Sequence, residues 1–333
     1  MSSASTNGGA WYSRLEPFPR PVDLPSRPDD ARLGAAVTFW SGGEPTLRAG
    51  QAVLLGFPQD EGVRRNQGRP GAALAPGAIR HWLYRLAPWD ATDDADLTRV
   101  NLLDLGDVRI EGGLEASQQA LAKVLAVALL RGAVPIVLGG GHETAYGHYL
   151  GHVGTGLPTA IINLDAHLDV RPCLDGLGHS GSPFRQAMTH PTHPLPGGHY
   201  VCLGAQPQAA SRDHVEFARH SGCAIRWCPD LRGQLCAVFG MYCRRLKRER
   251  CRLYVTLDAD VVQTADMPAV SAPNPSGLSG VEVLQCVRQA GATPDVASFD
   301  VVEICPPLDR DGQGARWGAL AIWHFLAGLA LRE

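Results

Sequence analysis

Ala160-Ile161-Ile162-Asn163-Leu164-Asp165-Ala166-His167-Leu168-Asp169 joins an apolar run to a cluster of metal-liganding side chains. The run is short and unbroken, as in a strand buried on both faces of a sheet. In extended chain, residues two apart point the same way, so Asp165, His167 and Asp169 can converge where the strand leaves the sheet. Two carboxylates around an imidazole suit a hard or borderline divalent cation. Taken alone, the triplet serves equally as a polar strand end whose side chains bond to nearby backbone.

Seven further apolar runs of the same kind lie at 52–57, 101–105, 134–138, 200–203, 223–227, 252–257 and 296–302. Between many of them fall helix-like patterns at 76–86, 114–131, 144–151, 212–221, 233–248, 280–290 and 315–331. Alternation of this kind predicts an α/β fold with a mostly parallel sheet covered by helices on both faces, a three-layer α/β/α arrangement. Neither a repeat nor a linker divides the chain. Residues 1–30, with Pro17, Pro19, Pro21, Pro25 and Pro28, read as an extended arm, and 31–333 as one folded domain.

The 333 residues are 45% hydrophobic and 19% charged, an ordinary balance for a globular chain with a sizeable core. A formal net charge of −3 gives no argument for nucleic acid or an anionic membrane as partner. The basic stretch Arg244-Arg245-Leu246-Lys247-Arg248-Glu249-Arg250 is short and interrupted, as on a solvated helix face. The first twenty residues lack the apolar core of a signal peptide, and no run is long enough to span a membrane. Nine cysteines, an odd number, read as reduced thiols in the cytoplasm. Cys223, Cys228, Cys236, Cys243 and Cys251 are too unevenly spaced for a zinc knuckle, so buried thiols are expected there.

In parallel sheets the binding crevice lies beyond the carboxyl ends of the strands. Polar clusters sit there repeatedly. Gly139-Gly140-Gly141-His142-Glu143 follows the 134–138 run, Asp258-Ala259-Asp260 ends the 252–257 run, and Glu303 follows 296–302. The glycine triplet lacks the Lys-Ser/Thr of a phosphate loop and the third spaced glycine of a dinucleotide site; its use is to bring backbone and His142 close in. Each aspartate taken singly could be a cap or a surface carboxylate. Gathered in one crevice, Asp165, Asp169, Asp258 and Asp260 would repel, raising carboxyl pKa values and costing stability. Two divalent cations cancel those charges, with His142 and His167 as neutral ligands. Oxygen-rich ligation without cysteine favours manganese, with zinc, iron and cobalt as alternatives.

These motifs, in this order and over most of the chain, resemble those of the arginase/agmatinase (ureohydrolase) superfamily. The resemblance implies an eight-stranded, mostly parallel sheet and two Mn²⁺ ions per subunit. It implies that His142, Asp165, Asp169 and Asp258 hold one ion and Asp165, His167, Asp258 and Asp260 the other, so that Asp165 and Asp258 bridge. A hydroxide bridging the ions would be the nucleophile, and Asp169 would also accept its hydrogen bond. Glu303 matches the family's substrate-facing glutamate. A homo-oligomer is expected, trimers and hexamers being usual in that family.

Arginases and agmatinases usually carry a proton-shuttling histidine where this chain has Ser180, in His179-Ser180-Gly181-Ser182-Pro183-Phe184-Arg185. Ser-Gly-Ser-Pro-Phe is similar to the formimidoylglutamase branch, as are 139–148 and 60–72. His179 stands one residue early and is not assigned the shuttle. The branch implies N-formimidoyl-L-glutamate as substrate, attacked at the formimidoyl carbon, with Asp169 protonating the departing α-amino nitrogen. Such a small amidine bearing two carboxylates needs cationic and polar contacts, for which Arg65, Asn66, Arg69, Ser180 and Arg185 are candidates beside Glu303. The alternatives are a guanidine hydrolase releasing urea and a non-catalytic binding member; the latter sits poorly with six filled ligand positions.

Overall fold

The structure, a computed structural model, describes residues 10–24 and 29–332. Of the expected 1–30 arm, residues 1–9 and 25–28 lie outside the described residues. All eight apolar runs form strands. In chain order the strands are β1 Leu15–Glu16, β2 Thr38–Phe39, β3 Ala52–Gly56, β4 Trp89–Asp90, β5 Ala95–Asp96 and β6 Leu103–Val108. There follow β7 Val134–Leu138, β8 Thr159–Leu164, β9 Tyr200–Ala205, β10 Ala224–Trp227, β11 Arg252–Asp258 and β12 Val296–Val302.

The main sheet has ten strands rather than the expected eight, in the order β1-β6-β3-β7-β12-β11-β8-β9-β10, with β2 also paired to β6. The eight strands from β6 to β10 are the expected parallel ones. The two additional members are two-residue edge strands, β1 antiparallel and β2 parallel to β6. Two residues are too few to leave an alternating pattern in a sequence, which is why they were not legible. They cover part of the outer edge of β6 that would otherwise present unpaired backbone. β4 and β5 form a separate ribbon.

Successive strand residues point into different helical layers, as the pleat requires. Leu54, Ile136 and Ile162 join one core with residues of the Ala75–Leu83, Leu235–Arg248, Gly280–Ala292 and Gln313–Ala330 helices. Val53, Leu55 and Val137 pack instead with the Gly113–Leu130 helix, and Ile161 and Tyr254 with the Thr144–Val153 helix. Burial on both faces explains why these runs lack polar alternation. Among the described residues no helix is long and apolar enough to cross a membrane.

Beneath the sheet a buried polar network ties the Thr144–Val153 helix to β12. His148 donates from Nδ1 to Asp300 Oδ2 at 2.7 Å and lies 2.8 Å from Ser298 Oγ through Nε2. Tyr254 also donates to Asp300, and His152 Nε2 meets Ser298 Oγ at 2.7 Å. This helix begins two residues after His142, and β12 leads into Glu303, so the network fixes one loop of the crevice against another. His148→Leu would leave Asp300 with Tyr254 as its one remaining donor, and the loss is expected to be about 1–3 kcal/mol of unfolding free energy. Denaturant melts check this; an unchanged midpoint would show that the network contributes nothing.

Candidate metal centre

β7, β12, β11 and β8 are consecutive neighbours in the sheet, so the loops leaving their carboxyl ends open onto one crevice. Those loops deliver His142, Glu303, Asp260 and the 165–169 cluster, while Asp258 ends β11 itself. The glycines make the approach possible. A Cβ on Gly140 would fall 1.7 Å from the Gln59 carbonyl oxygen, so only glycine lets the two backbones touch. The neighbouring Gly141 amide donates to that same carbonyl.

The six predicted ligands gather as two groups. One comprises His142, Asp165, Asp169 and Asp258, the other Asp165, His167 and Asp260, with candidate ligand atoms in each lying within 4.8 Å of one another. His142 Nδ1 stands 3.3, 2.9 and 3.1 Å from carboxylate oxygens of Asp165, Asp169 and Asp258. His167 Nδ1 is 2.9 Å from Asp260 Oδ2 and 3.6 Å from Asp165 Oδ1. Asp165 is thus shared, one oxygen facing each histidine. Asp258 gathers with the first group alone, its Oδ1 accepting from the Asp260 amide at 2.9 Å.

Surrounding groups hold these side chains in place. Asn163 donates to Asp165 Oδ2 at 2.9 Å, and Tyr200 donates to the Leu168 carbonyl at 2.8 Å. The Phe184 ring meets His142 edge-on at 5.3 Å between centroids. Asp169 and Glu303 adopt left-handed backbone, with φ of 45° and 65°. For residues with a Cβ this conformation is uncommon and costly, and such strain concentrates at functional sites.

The donor set fits divalent cations. His142 Nδ1 is buried and makes no satisfactory hydrogen bond, although three carboxylates surround it. Burial, aided by the neighbouring acids, pushes Asp258 well above the usual carboxylate range, and Asp169 upward as well. Burial opposes a charge on His142, yet the close carboxylates of Asp165, Asp169 and Asp258 hold its pKa well above normal. An aggregate of buried acids that retains protons on its own is one that cations would stabilise.

Glu303 accepts from the His142 backbone amide at 2.8 Å and lines the crevice. Glu143 beside it accepts from the Gly62 amide at 2.7 Å, clamping the Glu61–Arg65 helix to the His142 loop. The crevice, about 230 Å³, also takes Asn66, Arg171 and Ser180 into its wall. Arg171 donates to Asn66 Oδ1 at 3.2 Å, and Asn66 in turn donates to Ser180 Oγ at 3.0 Å. Gly181 leaves room for this: a Cβ there would sit 2.8 Å from Arg171 Cδ.

The three arginines singled out from the sequence are engaged elsewhere. Arg65 pairs with Glu115 and the Gly178 carbonyl. Arg69 donates to the Val270 and Ser271 carbonyls. Arg185 lies over the Phe217 ring at 3.8 Å. His179 is held between the Pro172 carbonyl and the Gly181 amide, with burial lowering its pKa, so it anchors a turn as a neutral ring. Arg171 was missed in the sequence; its place two residues after Asp169 continues the 165, 167, 169 spacing, and that was the available signal.

The family profile described as "Arginase family" matches residues 50–328. A formimidoylglutamase of Klebsiella pneumoniae (strain 342) is 36% identical over 309 residues, 91% of this chain and 93% of its own. A Trypanosoma cruzi formiminoglutamase solved with manganese superposes with a TM-score of 0.79 at 30% identity, over 85% of this chain and 94% of its own. A formimidoylglutamase of Bacillus subtilis reaches a TM-score of 0.85 at 25% identity, over 95% and 97% of the two chains.

Burial pushes Glu303 up to about 7 and, with Glu303 as neighbour, Glu143 up to about 8. A carboxyl whose folded pKa exceeds its unfolded value of about 4.3 binds more protons when folded, so stability falls as pH rises between the two. His142 and His167, both raised, act in the same direction. Chelator-treated protein is therefore expected to melt lower at about pH 8 than at about pH 5.5. Added Mn²⁺ should reverse much of that loss; a metal-free melting point that rises with pH would contradict the charge balance.

Proposed function

The chain belongs to the arginase family, and from that premise we propose that its crevice hydrolyses N-formimidoyl-L-glutamate to L-glutamate and formamide. His142, Asp165, His167, Asp169, Asp258 and Asp260 would hold the two Mn²⁺ ions of the reaction. When bound, the ions act as Lewis acids that lower the pKa of water towards ~7.

The remaining work falls to the chain. Glu303 has one carboxylate oxygen fixed by the His142 amide, and its charge suits the planar, cationic formimidoyl group. That contact would orient the carbon for addition of water. A new carbon–oxygen bond forms, the bond from that carbon to the α-amino nitrogen breaks, and the nitrogen needs a proton to leave. Asp169, which lines the crevice, would pass to that nitrogen a proton taken from the attacking water.

The observation that carries the substrate choice is Arg171. It lines the same crevice as Glu303, giving one site both an anion for an amidine and a guanidinium for a carboxylate. Asn66 and Ser180 extend that polar wall. A substrate with an acidic tail satisfies both ends. Agmatine, whose tail is a cationic amine, would meet Arg171 as a like charge.

Manganese-loaded enzyme offered formimidoylglutamate, agmatine, guanidinobutyrate and arginine is expected to release formamide from the first and little urea from the others. Urea without formamide would overturn the assignment. Arg171→Ala should raise KM for formimidoylglutamate by roughly tenfold or more with kcat changed much less, the signature of lost uniform binding. An unchanged KM would place the carboxylates elsewhere. Glu303→Gln should retain both metals by elemental analysis yet lose about 100-fold in kcat; full turnover would remove Glu303 from the substrate site.

A further inference from the structure

Two thiols meet along the seam between the Leu235–Arg248 and Gly280–Ala292 helices. These helices lead into β11 and β12, which are parallel neighbours, so they lie side by side and run the same way. Their alignment is fixed at both ends and in the middle. Just before the first helix, the Gly233 amide donates to Glu282 Oε1 at 2.6 Å. Midway, a Cβ on Gly240 would fall 2.8 Å from Gln289 Nε2, so the small residue lets the helices approach closely. In the last turn, Lys247 pairs with Asp295 at 3.1 Å. Gly233 with Glu282 and Gly240 with Gln289 have the same shift along the chain. Cys236 lies between Gly233 and Gly240, and Cys286 between Glu282 and Gln289, within one residue of that shift.

The side chains meet accordingly. The Cys236 and Cys286 thiols share a hydrogen bond. Both cysteines are free. Cys286 is fully buried in the core, whereas Cys236 is partly exposed and packs against that core from outside. The pair therefore presents one sulfur to reagents in solution and keeps a second one behind it. Their acidities differ in the matching sense. The hydrogen bond from Cys286 brings Cys236 down to about 7, while burial pushes Cys286 well above the ordinary thiol range. At neutral pH much of Cys236 is thiolate, the form that attacks oxidants. Cys243, on the same helix, is pushed up to about 12 by burial and stays inert.

We propose that Cys236 and Cys286 are a redox-active pair that hydrogen peroxide converts to a disulfide across the two helices. The Cys236 thiolate attacks one peroxide oxygen, a sulfur–oxygen bond forms and the oxygen–oxygen bond breaks. The departing hydroxide takes up a proton and leaves as water, with Cys236 now a sulfenic acid. The Cys286 sulfur then attacks the Cys236 sulfur, and the hydroxyl leaves with the Cys286 proton as a second water. Two thiols lose two electrons and two protons, and one peroxide becomes two waters. The bond would clamp a seam otherwise held by packing and single polar contacts, and it would halt Cys236 before irreversible oxidation.

Mn²⁺-loaded enzyme treated with a few equivalents of hydrogen peroxide, alkylated in denaturant and digested without reduction, is expected to yield a peptide pair joining Cys236 to Cys286 by mass spectrometry. Dithiothreitol should abolish it. The oxidised enzyme should melt several degrees above the reduced one, because the cross-link restricts the unfolded chain. Cys236→Ser, at a partly exposed position, should melt near the reduced wild type and show neither the peptide pair nor the upward shift on peroxide. Cys236 carried on to sulfinic acid while Cys286 stays alkylatable, or no joined peptides at all, would overturn the pairing. Joined peptides from an enzyme that melts no higher than its reduced form would overturn the clamp.

Discussion

Four aspartate carboxylates converge on a buried crevice, and the rest of the molecule is arranged around the cost of that convergence. Like charges so close to one another, removed from water, are tolerated only when protonated or when compensated by cations. Asp165 shows both sides of the balance. Shared between His142 and His167, it is driven well below the usual carboxylate range despite complete burial, while Asp258 and Asp169 are driven above it. Two divalent ions relieve the whole set. The left-handed backbone at Asp169 and Glu303, and the backbone contact that only glycine allows at Gly140, serve to bring those atoms within reach.

Rigid support for such a site has to come from the sheet. Its ligands leave β7, β11 and β8, and Glu303 leaves β12 between β7 and β11, so their spacing is set by the hydrogen-bonded ladder of four neighbouring parallel strands. The His148–Asp300–Ser298 network and the Glu143 clamp on Gly62 add cross-ties between loops. Each satisfies polar groups that would otherwise be buried without partners.

The residues that were legible from sequence are those governed by short-range geometry. Two-residue spacing picked out Asp165, His167 and Asp169, and again Asp258 and Asp260. Past the strand ends the chain bends at 166–167 and turns as a 3-10 helix at Ala259–Val261, so it is closeness to the strand end, not a continued pleat, that brings them together. The eight long strands were legible because burial on both faces makes them apolar throughout. β1 and β2 were not, since two residues carry no period. The carboxylate contacts were harder for a different reason. Arg65 ends the Glu61–Arg65 helix and Arg69 lies in the loop beyond it, flanking Asn66, which does wall the crevice; yet their guanidinium groups are taken up by Glu115, Gly178, Val270 and Ser271, residues far apart in sequence. Only the folded chain shows that Arg171 lines the crevice.

The central claim is that one shared aspartate and five further ligands hold two manganese ions at the carboxyl ends of β7, β11 and β8. Anomalous diffraction at the manganese edge, from crystals grown with Mn²⁺, tests it most directly. The expected map has two peaks in the crevice, one beside His142 and one beside His167, with Asp165 between them. A single peak, or a pair displaced from Asp165, would contradict the account.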